Sequence, residues 1–251
     1  MMRALRVLPL LLLTQVAGAD PGSQVPPQPP AAKSADTSPA RFVPGVPTAL
    51  AVPGDRPLYV VHAAPEIKRA LIYLHGWCGR PEAPEVWKQA AARHGTLVSL
   101  TAEVACPNGR TRWGKKNTGE QHERIQRAIA VVREARGGAL DPSDVVLIGY
   151  SQGAARAYRL ALRFPSFYPR LVLGGPPEAP APGWFPSARA IAVLGGELET
   201  TESMREGTAD LQEAGKLARY FMIPAAGHGS FGPEAEPLMD EVLSWILRVA
   251  P

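Results

Sequence analysis

Residues 145–162 read VVLIGYSQGAARAYRLAL, and the interpretation of this stretch decides the fold. Four apolar residues, Val145 to Ile148, run into Gly149-Tyr150-Ser151-Gln152-Gly153, and a helical pattern starts at once. A continuously apolar run of this kind reads as a strand buried on both faces, as in parallel sheets. The serine at the junction has two readings. It is a helix N-cap, its hydroxyl satisfying an orphan N–H of the first turn, or it is a nucleophile presented on a sharp turn. The glycines favour the second. A cap needs no clearance, whereas a serine in a strained strand-to-helix turn brings strand and helix so close that residues two before and two after can carry little side chain.

Working outward, the same alternation continues. Residues 58–63 (LYVVHA), 69–76 (RALIYLHG), 96–102 (TLVSLTA), 144–150 (DVVLIGY), 170–175 (RLVLGG), 188–196 (ARAIAVLGG) and 218–224 (ARYFMIP) predict strands. Residues 84–94, 120–136, 152–164, 203–215 and 233–249 predict helices; in the second, Ile125, Ile129 and Val132 form an apolar stripe closed by Gly137-Gly138. Apolar strands separated by helices imply an α/β protein with a mainly parallel central sheet and helices on both faces. Chemistry in such sheets collects at the carboxyl ends of the strands.

The chain has 251 residues, enough for one large α/β domain or two small ones, and a formal net charge of +4. The opening MMRALRVLPLLLLTQVAGAD has a basic start, a short leucine-rich core and small residues at Ala17 and Ala19. This is the layout of a signal peptide spanning residues 1–19, cleaved after Ala19. Its apolar run is short for a membrane span, and no cysteine follows it to carry a lipid. Loss of Arg3 and Arg6 with this segment lowers the charge from +4 to +2. That is too mild to argue for nucleic acid, and no Lys/Arg run forms a phosphate-tracking patch. Residues 20–57 are proline-rich with few large apolar side chains, which predicts a largely disordered leader. The folded, catalytic part is expected at 58–251, in a protein exported to the periplasm or medium, with no stable membrane insertion after signal cleavage.

A serine hydroxyl needs a base to attack. His228, in PAAGHGSFG, follows the last predicted strand, and its glycine neighbours leave room for the ring. His62 lies in an early strand, His94 and His122 on helices, and His75 at a strand end, so His228 has the strongest claim. An acid must orient the imidazole. After strand 188–196 the sequence offers GGELETTE, with Glu199 three residues past Gly196 as the first choice and Glu197 as the second. The developing oxyanion needs two N–H donors. Gln152, directly after the serine, supplies one; Trp77, following His75-Gly76 at the end of LIYLHG, is the candidate for the other. Trp113 and Trp184, the latter beside Phe185, fall on loops at the same edge and are candidates for a substrate pocket.

The HG loop after an early strand, GYSQG between strand and helix, a carboxylate loop after a later strand and GHG before the last helix together resemble the α/β-hydrolase superfamily. Its single-domain carboxylesterases, the phospholipase/carboxylesterase and acyl-thioesterase group and the polyester depolymerases, are the nearest in kind. The resemblance spans Leu58 to the C-terminus and departs in two places: a glutamate replaces the usual aspartate, and Ala154 stands where many relatives carry another glycine. It implies a serine hydrolase acting on small carboxylic esters or thioesters, with Ser151, His228 and Glu199 as the catalytic residues and neither metal nor organic cofactor. The short PPEAPAPGWFPS, residues 176–187, leaves no room for a helical lid. A prolyl-oligopeptidase-type peptidase would use the same residues but normally carries an extra domain, and a non-catalytic binding protein would be expected to have lost Ser or His. In this fold the strands preceding Cys78 and Cys106 are parallel neighbours, so these cysteines, the only two in the chain, are expected to form a disulfide across the active-site rim.

Overall fold

A computed structural model describes residues 42–115 and 117–250; the expected signal peptide and most of the leader lie outside the described residues. In chain order the strands are Pro47–Leu50 (β1), Leu58–Val61 (β2), Ala70–Leu74 (β3), Thr96–Leu100 (β4), Val104–Ala105 (β5), Thr111–Arg112 (β6), Val145–Tyr150 (β7), Arg170–Gly174 (β8), Ala190–Gly196 (β9) and Ala218–Ile223 (β10). The helices are Lys88–His94 (α1), Thr118–Ala135 (α2), Gln152–Arg163 (α3), Glu202–Glu213 (α4) and Ala235–Val249 (α5). Eight strands form one sheet in the order β1-β2-β4-β3-β7-β8-β9-β10, and β5 with β6 form a separate hairpin. From β4 to β10 every pairing is parallel; β1 and β2 run antiparallel at one edge.

The period-two alternation of a strand sorts each central strand onto two cores. Ile72 and Leu74 of β3, Leu147 of β7 and Val193 of β9 face one core with Ile125, Ile129 and Val132 of α2, Leu160 of α3 and Leu211 of α4. Leu71 and Tyr73, Val146 and Ile148, and Leu194 face the other, with Ala90 and Ala91 of α1 and Met239, Val242, Leu243 and Ile246 of α5. This explains why β3, β7, β8 and β9 are buried throughout.

The strand order positions the site. The chain leaves β3 for β4 on one side and returns to β7 on the other, so the loops after β3 and β7 diverge around a crevice at the carboxyl edge. The register sets Leu74 beside Gly149, bringing His75-Gly76 next to Tyr150-Ser151.

Three boundaries differ from expectation. The sheet begins at Pro47, before Leu58, because residues 47–50 pair with β2 as an edge strand; four residues among prolines carry too little pattern to stand out. The predicted helix 84–94 is a 3-10 turn over Ala83–Trp87 followed by α1, with Trp87 leaving helical geometry to bury its ring. The helix expected from Glu120 starts at Thr118, because the Asn117 side chain caps it by accepting from the Glu120 N–H at 2.9 Å.

Candidate active site

Ser151 sits at φ 51°, ψ −114°, a conformation that costs a non-glycine residue about 1–3 kcal/mol. Its backbone N–H donates to the Gly174 carbonyl at 2.7 Å, tying the turn to β8. The glycines on either side are required by space. A Cβ on Gly149 would stand 2.4 Å from the Gly153 carbonyl oxygen, and one on Gly153 would stand 1.9 Å from the Leu74 carbonyl oxygen. Ser151 occupies the N-cap position of α3 yet makes no side-chain cap hydrogen bond. Its Oγ lies instead 3.0 Å from His228 Nε2.

His228 Nδ1 lies 2.7 Å from Glu199 Oε2, and Glu199 Oε1 accepts from the Gly196 N–H at 2.7 Å. Both carboxylate oxygens are thus engaged, on a side chain only 10% exposed. Glu197, the other glutamate considered, accepts from the Ala225 N–H at 2.8 Å and braces the loop that carries His228. Tyr150 was not singled out in the sequence. Its hydroxyl accepts from the Gly229 N–H at 2.9 Å, and its ring meets those of His228 and Phe231. Burial raises its pKa and keeps it a neutral phenol. Its position inside G-x-S-x-G, directly under the histidine loop, was the available signal.

The loop after β3 is held from several directions. His75 is fully buried. Its Nε2 accepts from the Ala102 N–H at 3.3 Å and meets Thr111 Oγ1 at 3.1 Å, so the ring proton sits on Nδ1, which donates to the Gly76 carbonyl at 2.8 Å. Burial lowers the His75 pKa, outweighing the hydrogen bond to Gly76 and the charges of Glu82 and Glu103, while Arg124 adds to the lowering. The Gly79 N–H donates to the same Gly76 oxygen at 3.0 Å. In a trans peptide the C=O and N–H point opposite ways, so this clamp also fixes the direction of the Trp77 N–H.

The β5–β6 hairpin closes one side. Cys78 and Cys106 form a disulfide with Cα atoms 5.7 Å apart. The Thr111 N–H donates to the Gly79 carbonyl at 3.1 Å, and the Arg112 guanidinium lies 4.7 Å from the centre of the exposed Trp77 ring. A cavity of about 240 Å³ is lined by Ser151, His228, Gly76, Trp77, Tyr73, Tyr150, Phe231 and Arg110, among others.

Two tryptophans that the sequence offers either as pocket wall or as packing are not among the residues lining this cavity. Trp113, a candidate for the pocket wall, is 2% exposed; its Nε1–H donates to the His75 carbonyl at 2.7 Å, and its backbone is held on both sides by the Gln152 amide. Trp184 packs against Tyr158 of α3, beside the buried Phe185. Both rings serve the scaffold, because each finds its partner inside the fold. Of the remaining histidines, His62 is buried and stacked on Phe42, His94 meets Asp240 at 2.9 Å, and His122 stacks on Phe164. Among the described residues no group of His, Cys, Asp or Glu is arranged to hold a metal ion, and no helix is long and apolar enough to cross a membrane.

No family model matches the chain, and no curated protein matches it by sequence. Solved structures do. The apo form of Thermogutta terrifontis esterase 2 aligns over 79% of this chain and 91% of its own at 17% identity, TM-score 0.53. A predicted CIB-like hydrolase from Thermoplasma acidophilum covers 81% and 98% at 12% identity, TM-score 0.56. The Bacillus cereus carboxylesterase covers 76% and 93% at 17% identity, TM-score 0.52. With the sheet order and the strand–serine–helix turn already in place, these likenesses settle the architecture: the chain has the α/β-hydrolase fold.

Proposed function

We propose that the protein is an exported serine hydrolase that cleaves carboxylic esters or thioesters of small molecules through an acyl-enzyme on Ser151. The observation that carries this reading is the continuous hydrogen-bond chain from Ser151 Oγ through His228 to Glu199, with distances of 3.0 and 2.7 Å. The likeness to esterases of the same fold supports an ester substrate.

In the first half-reaction His228 Nε2 takes the Ser151 proton as Oγ bonds to the substrate carbonyl carbon. Glu199 holds the Nδ1–H and stabilises the imidazolium. The carbonyl oxygen becomes an oxyanion, for which the N–H groups of Trp77 and Gln152 are the donors, the first aimed by the clamp on the Gly76 carbonyl. Collapse expels the alcohol or thiol, which leaves with the proton from His228. Water then gives a proton to His228 and attacks the acyl-enzyme; the acid departs and Ser151 recovers its proton. His228 is half exposed, and among the described residues no lid-length insertion follows β8, which suits soluble substrates. The disulfide is consistent with export to an oxidising compartment.

The test is labelling with a fluorophosphonate and hydrolysis of p-nitrophenyl acetate. Thermogutta terrifontis esterase 2 is phosphorylated by paraoxon, which recommends an organophosphorus probe. Ser151→Ala is expected to abolish labelling and lower kcat by at least about 10³-fold. Labelling and turnover that survive this change would refute the reading.

A further inference from the structure

The wall of the cavity beside Ser151 is mostly aromatic rings, glycine and Ala83. Its one permanently charged member among the described residues is Arg110. Hydrolysis itself gives that cation nothing to do. Arg110 ends the connection between β5 and β6, and its backbone is fixed: its carbonyl accepts from the Cys106 N–H at 2.8 Å, and its N–H donates to Pro107 at 3.4 Å. The disulfide at Cys106 and the Thr111–Gly79 hydrogen bond anchor the residues around it. The backbone is therefore held, and Arg110, an exposed residue, borders both this cavity and the cleft outside it.

The surrounding charges sharpen the point. An outer cleft of about 560 Å³ adjoins the cavity, sharing Gly79, Ala83, Arg110 and Gly229 with it. Glu82, Glu85 and Arg80 line this outer cleft only, and Glu85 is 3.4 Å from Lys88. Arg80 leans toward the same hairpin, donating to the Asn108 carbonyl at 3.4 Å. The outer cleft is of mixed charge, whereas among the described residues the chamber containing Ser151 and His228 has Arg110 and no carboxylate on its wall, Glu199 lying behind His228. A guanidinium there matches a carboxylate in shape and can take it bidentately.

We infer that Arg110 is a specificity residue that binds a carboxylate of the substrate, so that the preferred ester carries a negative charge close to the scissile bond. This rests on the hydrolase reading above. The charge could sit on the acyl side or on the alcohol side, and the probes separate the two. Monomethyl succinate places it on the acyl group, O-butyryl glycolate places it on the leaving alcohol, and methyl butyrate is the neutral reference. The measured quantity is the ratio of kcat/KM for each anionic ester to that for methyl butyrate, followed by acid release in a pH-stat.

For at least one anionic ester the wild-type ratio is expected to fall by about tenfold or more in Arg110→Ala, to recover in large part in Arg110→Lys, and to fall further in Arg110→Glu. It should also fall with added salt, as an exposed ion pair does. Ratios that stay the same across all three variants overturn the inference, as does a wild type that cleaves only the neutral ester. Such a wild type would keep the hydrolase reading intact, whereas one that cleaves none of the three esters and takes no fluorophosphonate fails at that earlier step. Because the Arg110 side chain is exposed, unfolding should not confuse the result, and unchanged melting of the variants checks this.

Discussion

Two segments meet across Ser151 and are held there by different forces. On one side is the turn from β7 into α3, shaped by residues that are neighbours in sequence: Gly149 and Gly153 lie where a single methyl group would collide with backbone oxygen. On the other is the loop 75–79 with the β5–β6 hairpin, shaped by residues far apart in the chain. The Cys78–Cys106 bond, the Trp113 Nε1–H on the His75 carbonyl, and the Gln152 amide on the Trp113 backbone hold it. Steric exclusion fixes the first, and a network of cross-links fixes the second. A local constraint leaves a mark in the sequence as a motif, while a network leaves scattered polar and aromatic residues with no spacing to read.

The comparison is broken most severely on the turn side. Gly153→Ala places a methyl carbon 1.9 Å from the Leu74 carbonyl oxygen, which is backbone of β3 and cannot yield as a side chain would. The variant should lose more than about 3 kcal/mol of stability and much of its soluble yield. Thermal unfolding and expression beside wild type would show it; a Gly153→Ala protein that melts normally would mean the turn is far softer than its contacts imply.

On the hairpin side the expected damage is smaller and of another kind. Replacing both cysteines by serine removes a cross-link spanning 28 residues, which constrains the unfolded chain by about 3.5 kcal/mol in the loop-entropy account. The sheet does not depend on this link, so the variant should fold with a lowered melting temperature. Its turnover of p-nitrophenyl acetate should fall by about tenfold, less than the 10²–10³-fold typical when an oxyanion donor is deleted outright, since the Trp77 N–H is loosened and not lost. Equal stability and turnover in the double variant would detach the hairpin from the site.

The same contrast accounts for what the sequence revealed. The buried runs of β3, β7, β8 and β9 were legible because strands covered on both faces are apolar throughout. Ser151 and His228 stood out by position at strand ends, and their 3.0 Å approach follows from the strand order. Glu199 and Glu197 could be ranked by spacing, but only the fold separates the one on His228 from the one on Ala225. β1 was hidden among prolines, and β5 and β6 are two residues each, too short for any period. Trp113 could not be assigned from sequence, because an aromatic on a loop near the site reads equally as pocket wall or as packing. What turned it inward was a hydrogen bond to a residue 38 positions away.

His75 stands at the joint between the two regimes, and its protonation offers the finest test of the network. Its Nε2 accepts from Ala102 and meets Thr111, an arrangement that requires the neutral ring, and burial lowers its pKa below the ordinary 6.5. A histidine that resists protonation in the fold takes up a proton more readily once unfolded. Its contribution is therefore complete above pH 6.5 and is lost as the pH falls below that value toward the lowered one. His62, held down to about 4 by burial and then by Arg136, acts in the same sense, so the wild type alone cannot assign the effect. The difference between wild type and His75→Gln can. Because glutamine does not titrate, the stability gap between the two proteins should narrow as pH drops from 7 to 5. A gap that stays constant over that range would mean the loop tolerates a charged His75, whose Nε2 can no longer accept from the Ala102 N–H.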